Sequence, residues 1–138
     1  MKYLVLFFIF TPLFSFAQNK GDNQITVTTS LIGDELYKKI GQDLLDKGYT
    51  IEKSDKELGY IITNFKPVFG DRSLKIIVKL RDNKVMLSGL MGVGDKPTEA
   101  NGIVIIYNPS GMLIFRKVWP YLEEIAKEIG GEISYTKT

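Results

Sequence analysis

Three carboxylates near the end of the chain, Glu123, Glu124 and Glu128, are its densest set of groups that could do chemistry. Glu124 and Glu128 stand one helical turn apart, a spacing at which two carboxylates share a cation or divide acid and base roles. Lys127 is interleaved, which is the pattern of a solvated helix face, and that is the simpler reading. The chain has no histidine and no cysteine. This removes the usual general base, the usual activator of a nucleophile and the commonest transition-metal ligand. Zinc sites of the Cys or His type cannot form within one such chain, and Ser-His-Asp or Cys-His mechanisms are excluded. Gly92-Val93-Gly94-Asp95-Lys96 is superficially like a phosphate loop. It lacks the P-loop spacing and no helix pattern follows it, so it reads as a mobile connection. No catalytic residue, metal ligand or cofactor is expected.

The elements that would position any site follow from periodicity. Ile25, Val27 and Thr29 alternate with polar neighbours and predict a strand. Ile32, Leu36, Ile40 and Leu44 recur every four residues and predict a helix that starts between Ser30 and Asp34. Gly48 is its stop, and Lys47 in the last turn complements the dipole. Tyr49–Lys53 and Leu58–Phe65 read as strands around the charged turn Ser54–Glu57, and Lys66-Pro67 ends the second of them. A loop through Gly70-Asp71-Arg72 follows.

Leu74, Ile76, Val78 and Leu80 alternate with Lys75, Ile77, Lys79 and Arg81, the pattern of a half-buried strand. Asp82-Asn83 is a two-residue turn, with a type I′ turn expected, and Lys84–Met91 returns beside it. That turn sets a register. Leu80 faces Val85, Val78 faces Leu87, Ile76 faces Gly89 and Leu74 faces Met91 on the inner side. Lys79 faces Met86, Ile77 faces Ser88 and Lys75 faces Leu90 on the outer side.

Gly92–Gly102 is rich in breakers and reads as a loop. Ile103–Tyr107 is apolar on both sides, which predicts a central strand or one covered on both faces. Met112–Phe115 fits either a return strand or the lead into a helix. Phe115, Val118, Leu122, Ile125 and Ile129 step by three and four, a helical stripe. Proline is tolerated in a first turn, so Pro120 places the start of that helix near Lys117 to Trp119. Gly130-Gly131 ends it, and Glu132–Tyr135 adds a short last strand. Trp119, Tyr121 and Tyr135 read as core or helix-entry packing. One helix near each end with a meander between predicts an α+β domain: a curved antiparallel sheet of five to six strands with two helices packed on one face.

Leu36-Tyr37, the turn Asp55-Lys56-Glu57-Leu58-Gly59-Tyr60-Ile61 and the hairpin Lys79–Gly89 resemble small exported bacterial domains of unknown function with a TATA-binding-protein-like fold. The turn and its strand are also similar to lipoprotein domains of the outer-membrane assembly machinery. The resemblance implies a fold and a compartment. It brings no activity and no catalytic residues, and the fold name does not imply DNA binding.

The amino terminus agrees on compartment. Lys2 precedes the apolar run Tyr3–Phe10, and Ser15-Phe16-Ala17 suits cleavage before Gln18. This is the pattern of a signal peptide, too short for a membrane anchor of about 20 apolar residues. No cysteine follows the cut to carry a lipid. The expected product is a single domain, 18–138, periplasmic or secreted, with a mobile leader at 18–23 and no stable membrane insertion. The full chain carries a net charge of +2, which gives no case for nucleic acid.

With helices on one face, Lys75, Ile77, Lys79, Met86, Ser88 and Leu90 remain on the other. Ile77, Met86 and Leu90 are more apolar than a solvated face requires, the mark of a partner site. The alternative is a loop, the leader or the last strand folded across that face. The leading expectation is a non-enzymatic binding or assembly module for an envelope protein or peptide, engaged by the open sheet face or an edge. A carrier for a small apolar ligand between sheet and helices is second.

Overall fold

The computed structural model describes residues 17–138; of the expected signal segment Met1–Ala17, all but Ala17 lies outside the described residues. Ten strand and helix elements follow in order. They are β1 (Gln24–Thr28), α1 (Gly33–Asp46), β2 (Ile51–Asp55), β3 (Tyr60–Thr63), β4 (Lys66–Phe69), β5 (Arg72–Arg81), β6 (Lys84–Val93), β7 (Ile103–Val104), α2 (Leu113–Ile129) and β8 (Glu132–Thr136). A single 3-10 turn, Glu99–Asn101, sits in the loop before β7.

All strand pairs are antiparallel, in the order β2-β3-β5-β6-β1-β8. The hairpin β5–β6 is the spine, and its register is the one its alternation predicts, from Leu74↔Met91 to Leu80↔Val85. Only Asp82 has positive φ among the turn's non-glycine residues, so the turn is not the type I′ expected, which needs both central residues there. The spine is longer than its partners. β3 and β1 flank the half nearest the turn, while β4 and β7 flank the far half. The sheet therefore has eight strands rather than five or six.

The two additional short strands have physical reasons. Pro67 does not end the chain's extended run, because β4 pairs with β5 alone and its other side needs no donor. Ile103–Tyr107 is not a central strand. Only Ile103 and Val104 pair, and both are exposed. Ile105 then turns inward and is fully buried, its N–H donating to the Gly89 carbonyl at 3.0 Å. Gly89 makes this possible: a Cβ there would stand 3.0 Å from Ile105 Cδ1 and 3.0 Å from Leu74 Cδ1.

Both helices contribute to one continuous core with the inner sheet face. Leu36, Ile40 and Leu44 of α1 meet Val118, Leu122, Ile125 and Ile129 of α2 and the inner row Ile25, Val27, Ile61, Ile76, Val78 and Leu87. Burial of each such side chain stabilises by roughly 1.5–3 kcal/mol relative to exposure. Helix α2 begins at Leu113, so Met112–Phe115 leads into the helix and Pro120 lies inside it. An interior proline costs about 3 kcal/mol by deleting one helical hydrogen bond. Here Pro120 and Arg116, four residues earlier, are both on the exposed side, and the buried stripe outweighs the loss. Lys47 is the cap of α1 rather than part of its last turn; its ammonium bonds Glu124 at 2.6 Å and Glu128 at 2.8 Å, joining the helices.

The leader is not left loose. Gly21 N–H donates to the Tyr107 carbonyl at 2.8 Å, Tyr107 N–H to Asp22 at 2.7 Å, and Asn23 N–H to Thr136 at 3.0 Å. Among the described residues no helix is long and apolar enough to cross a membrane.

Candidate binding face

The outer face of the sheet is read directly from the register. Two rows cross it: Asp55–Tyr60–Lys79–Met86–Thr26–Ser134, and Lys53–Ile62–Ile77–Ser88. A third, Lys75–Leu90–Val104, lies in the far half. All six sequence-predicted residues thus share one face, but they do not share one environment.

The far half is covered over Lys75, with Leu90 half-buried beside it and Val104 exposed at the edge. The chain leaving β6 folds back across it, so the expected mobile connection is an ordered flap. Gly92 permits the approach: a Cβ there would fall 2.2 Å from Pro97 Cβ and 3.0 Å from the Phe65 ring. The flap carries its own local order. Thr98 N–H and hydroxyl both donate to Asn101 Oδ1 at 3.0 Å, and Gly94 N–H donates to the Asp71 carbonyl at 2.9 Å. Beneath it Lys75 is only 3 % exposed. Its ammonium donates to Glu99 Oε1 at 2.6 Å and to Glu52 of β2, and stands 5.4 Å from the centre of the Phe65 ring.

Burial alone would lower the pKa of Lys75. Hydrogen bonds to Glu52 and Glu99, with the charges behind them, outweigh it and hold the ammonium above the ordinary lysine value. The same bond, with the charge of Lys75, holds the Glu99 carboxyl below its ordinary value. The triad is a clasp between flap, sheet and edge strand. Leu90 lies beside it, against Gly102.

The near half is open. Ile77, Met86 and Ser88 are half-buried and Lys79 is exposed. Tyr60 and Ile62 of β3, absent from the sequence-based set, join them through Tyr60↔Lys79 and Ile62↔Ile77. Tyr60, Ile62, Ile77, Lys79 and Met86 line a shallow groove of about 350 Å³ with Leu58, Arg81 and Gly59 at its rim, and Ser88 stands outside it. The alternation within Leu58–Phe65 carried the signal for Tyr60 and Ile62. The pairing partner was not legible, because β4 separates β3 from β5 in the chain.

The acidic trio is tied up elsewhere. Glu124 and Glu128 clasp Lys47, and Glu123 accepts hydrogen bonds from the Tyr135 hydroxyl at 3.3 Å and from the Gln18 amide. The middle of the space between sheet and helices is filled by Ile76, Leu87, Trp119 and Leu122, each at most 2 % exposed, while at the start of α2 an open apolar pocket of about 400 Å³ remains between Met91, Val93 and Ile103 of the sheet and Met112, Leu113 and Phe115. No protein-family model matches the chain, and no curated protein matches it in sequence.

Proposed function

We propose that this is an exported, non-enzymatic binding or assembly module with a TATA-binding-protein-like α+β fold, which holds a protein or peptide segment on the open half of its outer sheet face. The observation that carries the reading is the groove itself. Tyr60, Ile62, Ile77 and Met86 leave apolar surface in water on the one half of the face that the flap does not reach. Such surface is retained where a partner removes it from water. The engagement of the acidic residues with Lys47, Tyr135 and Gln18 supports a binding role over a catalytic one. Export rests on the amino-terminal pattern, so periplasmic material starting at Gln18 is expected by intact-mass spectrometry.

The test is affinity capture from envelope extract with the parent protein and the I77S/M86S variant in parallel. The expected result is a partner retained by the parent and lost by the variant, while the circular dichroism spectrum of the variant is unchanged. Equal capture by both proteins, or none by either, would overturn the reading.

A further inference from the structure

We infer that the partner segment is an acidic amphipathic helix, an apolar ridge flanked by Asp or Glu; this rests on the open-face reading above. The observation is a ring of cations around the groove. Lys53 lies on the β2 side, Lys79 in the middle, and Arg81 and Lys84 pair at the end of the hairpin. By register all four are on the outer face, and all four are exposed. None makes an ion pair among the described residues. Two acids share their rows: Asp55, whose Oδ1 accepts the Leu58 N–H at 2.8 Å within the β2–β3 turn, and Glu132 of β8, which Thr28 separates from Lys84.

The full chain has a net charge of only +2, and the register gathers these four cations about one apolar groove. Complementary charge across an interface steers association and selects the partner. The shape narrows the choice further. The apolar residues lie on β3, β5 and β6, neighbours in the sheet, which span about 10 Å at the usual ~4.8 Å strand spacing. An α-helix with its side chains is about 10–12 Å across. Because these side chains are half-buried and form a groove, they receive a ridge rather than project one. That favours a peptide helix over a bilayer, into which apolar side chains would have to protrude. Strand addition at β2 is disfavoured by the bulge between Ile51 and Lys53.

The experiment uses isotope-labelled protein and three synthetic amphipathic helices of about 18 residues, five turns long. They share one leucine stripe and carry Glu, Gln or Lys at the flanking positions. The Glu peptide is expected to shift the amides of β3, β5 and β6. Its affinity should exceed that of the Gln peptide by about tenfold or more and fall with added salt. The K79E/R81E/K84E variant should invert the preference towards the Lys peptide, a gain that misfolding cannot imitate. Equal binding of the Gln peptide at the same amides would overturn the acidic assignment and leave the open-face reading standing. No shift of those amides by any of the three would overturn both. Tighter binding of phosphatidylglycerol vesicles at the same amides would replace the peptide with a membrane surface.

Discussion

The two halves of the outer sheet face start from similar strand sequence and end differently. The far half contributes Lys75 and Leu90, the near half Ile77, Lys79, Met86 and Ser88, and both alternate along the same two strands. What separates them is Gly92 and the flap it admits. Where the flap lies, a lysine is buried and must be paired, and Glu52 and Glu99 answer it. Where the flap stops, Lys79, Arg81 and Lys84 remain exposed and make no ion pair among the described residues. A buried cation is held by its partners, and an exposed one is available to another molecule.

The largest break in this comparison comes from filling the space under the flap. Gly92→Val would drive a side chain into Pro97 and Phe65, so we expect a loss of about 1–3 kcal/mol in urea unfolding. Faster amide exchange across the flap should accompany it, since the flap must lift. Unchanged exchange there would show that the cover does not depend on Gly92.

The clasp comes next. E52Q/E99Q should lower the melting temperature more than K75M does. The first leaves an ammonium without a counter-charge, and the second removes the ion that needed one. The reverse order would mean that the flap does not rely on the ion pairs. The acid limb has a defined sign. Glu99 is held below its ordinary value of 4.5, so its contribution is present above that pH and is lost as pH falls through the lowered value. Lys75 is held above its ordinary value of 10.5, so its contribution is present below that pH and is lost as pH rises through the raised value. Flap amides should therefore exchange faster, beyond the intrinsic pH dependence, at both extremes and least between them. K75M should flatten that profile.

The smallest stability effect belongs to the open half. I77S and M86S should each cost under about 1 kcal/mol, because both side chains already keep surface in water. A cost matching that of a core truncation, about 2–5 kcal/mol, would show that this half is core as well.

Legibility followed from how local each signal was. The β5–β6 register was readable because ten residues on each strand alternate around one short turn. The stripe of α2 was readable too, although Pro120 misplaced its start. A rule about hydrogen bonds inside one helix does not weigh the burial that Val118 and Trp119 gain in the core. β4 was hidden by Pro67, whose meaning depends on whether its strand has one neighbour or two. Ile103–Tyr107 misled for a related reason, since a run of apolar residues looks alike whether it pairs centrally or drops one side chain beside Gly89. Tyr60 and Ile62 could not be added to the face, because β3 pairs with β5 across the intervening β4.

By itself the sequence determined which residues of the β5–β6 hairpin point outward, that histidine and cysteine chemistry is absent, and that Lys75, Lys79 and Arg81 recur along one outward row of β5. Period-two alternation and residue type are local properties, and no fold can alter them. Which of those outward residues meets water was decided only by the tertiary structure. Burial depends on what other parts of the chain lie above a residue, and the loop that covers Lys75 gives no periodic sign of where it will land.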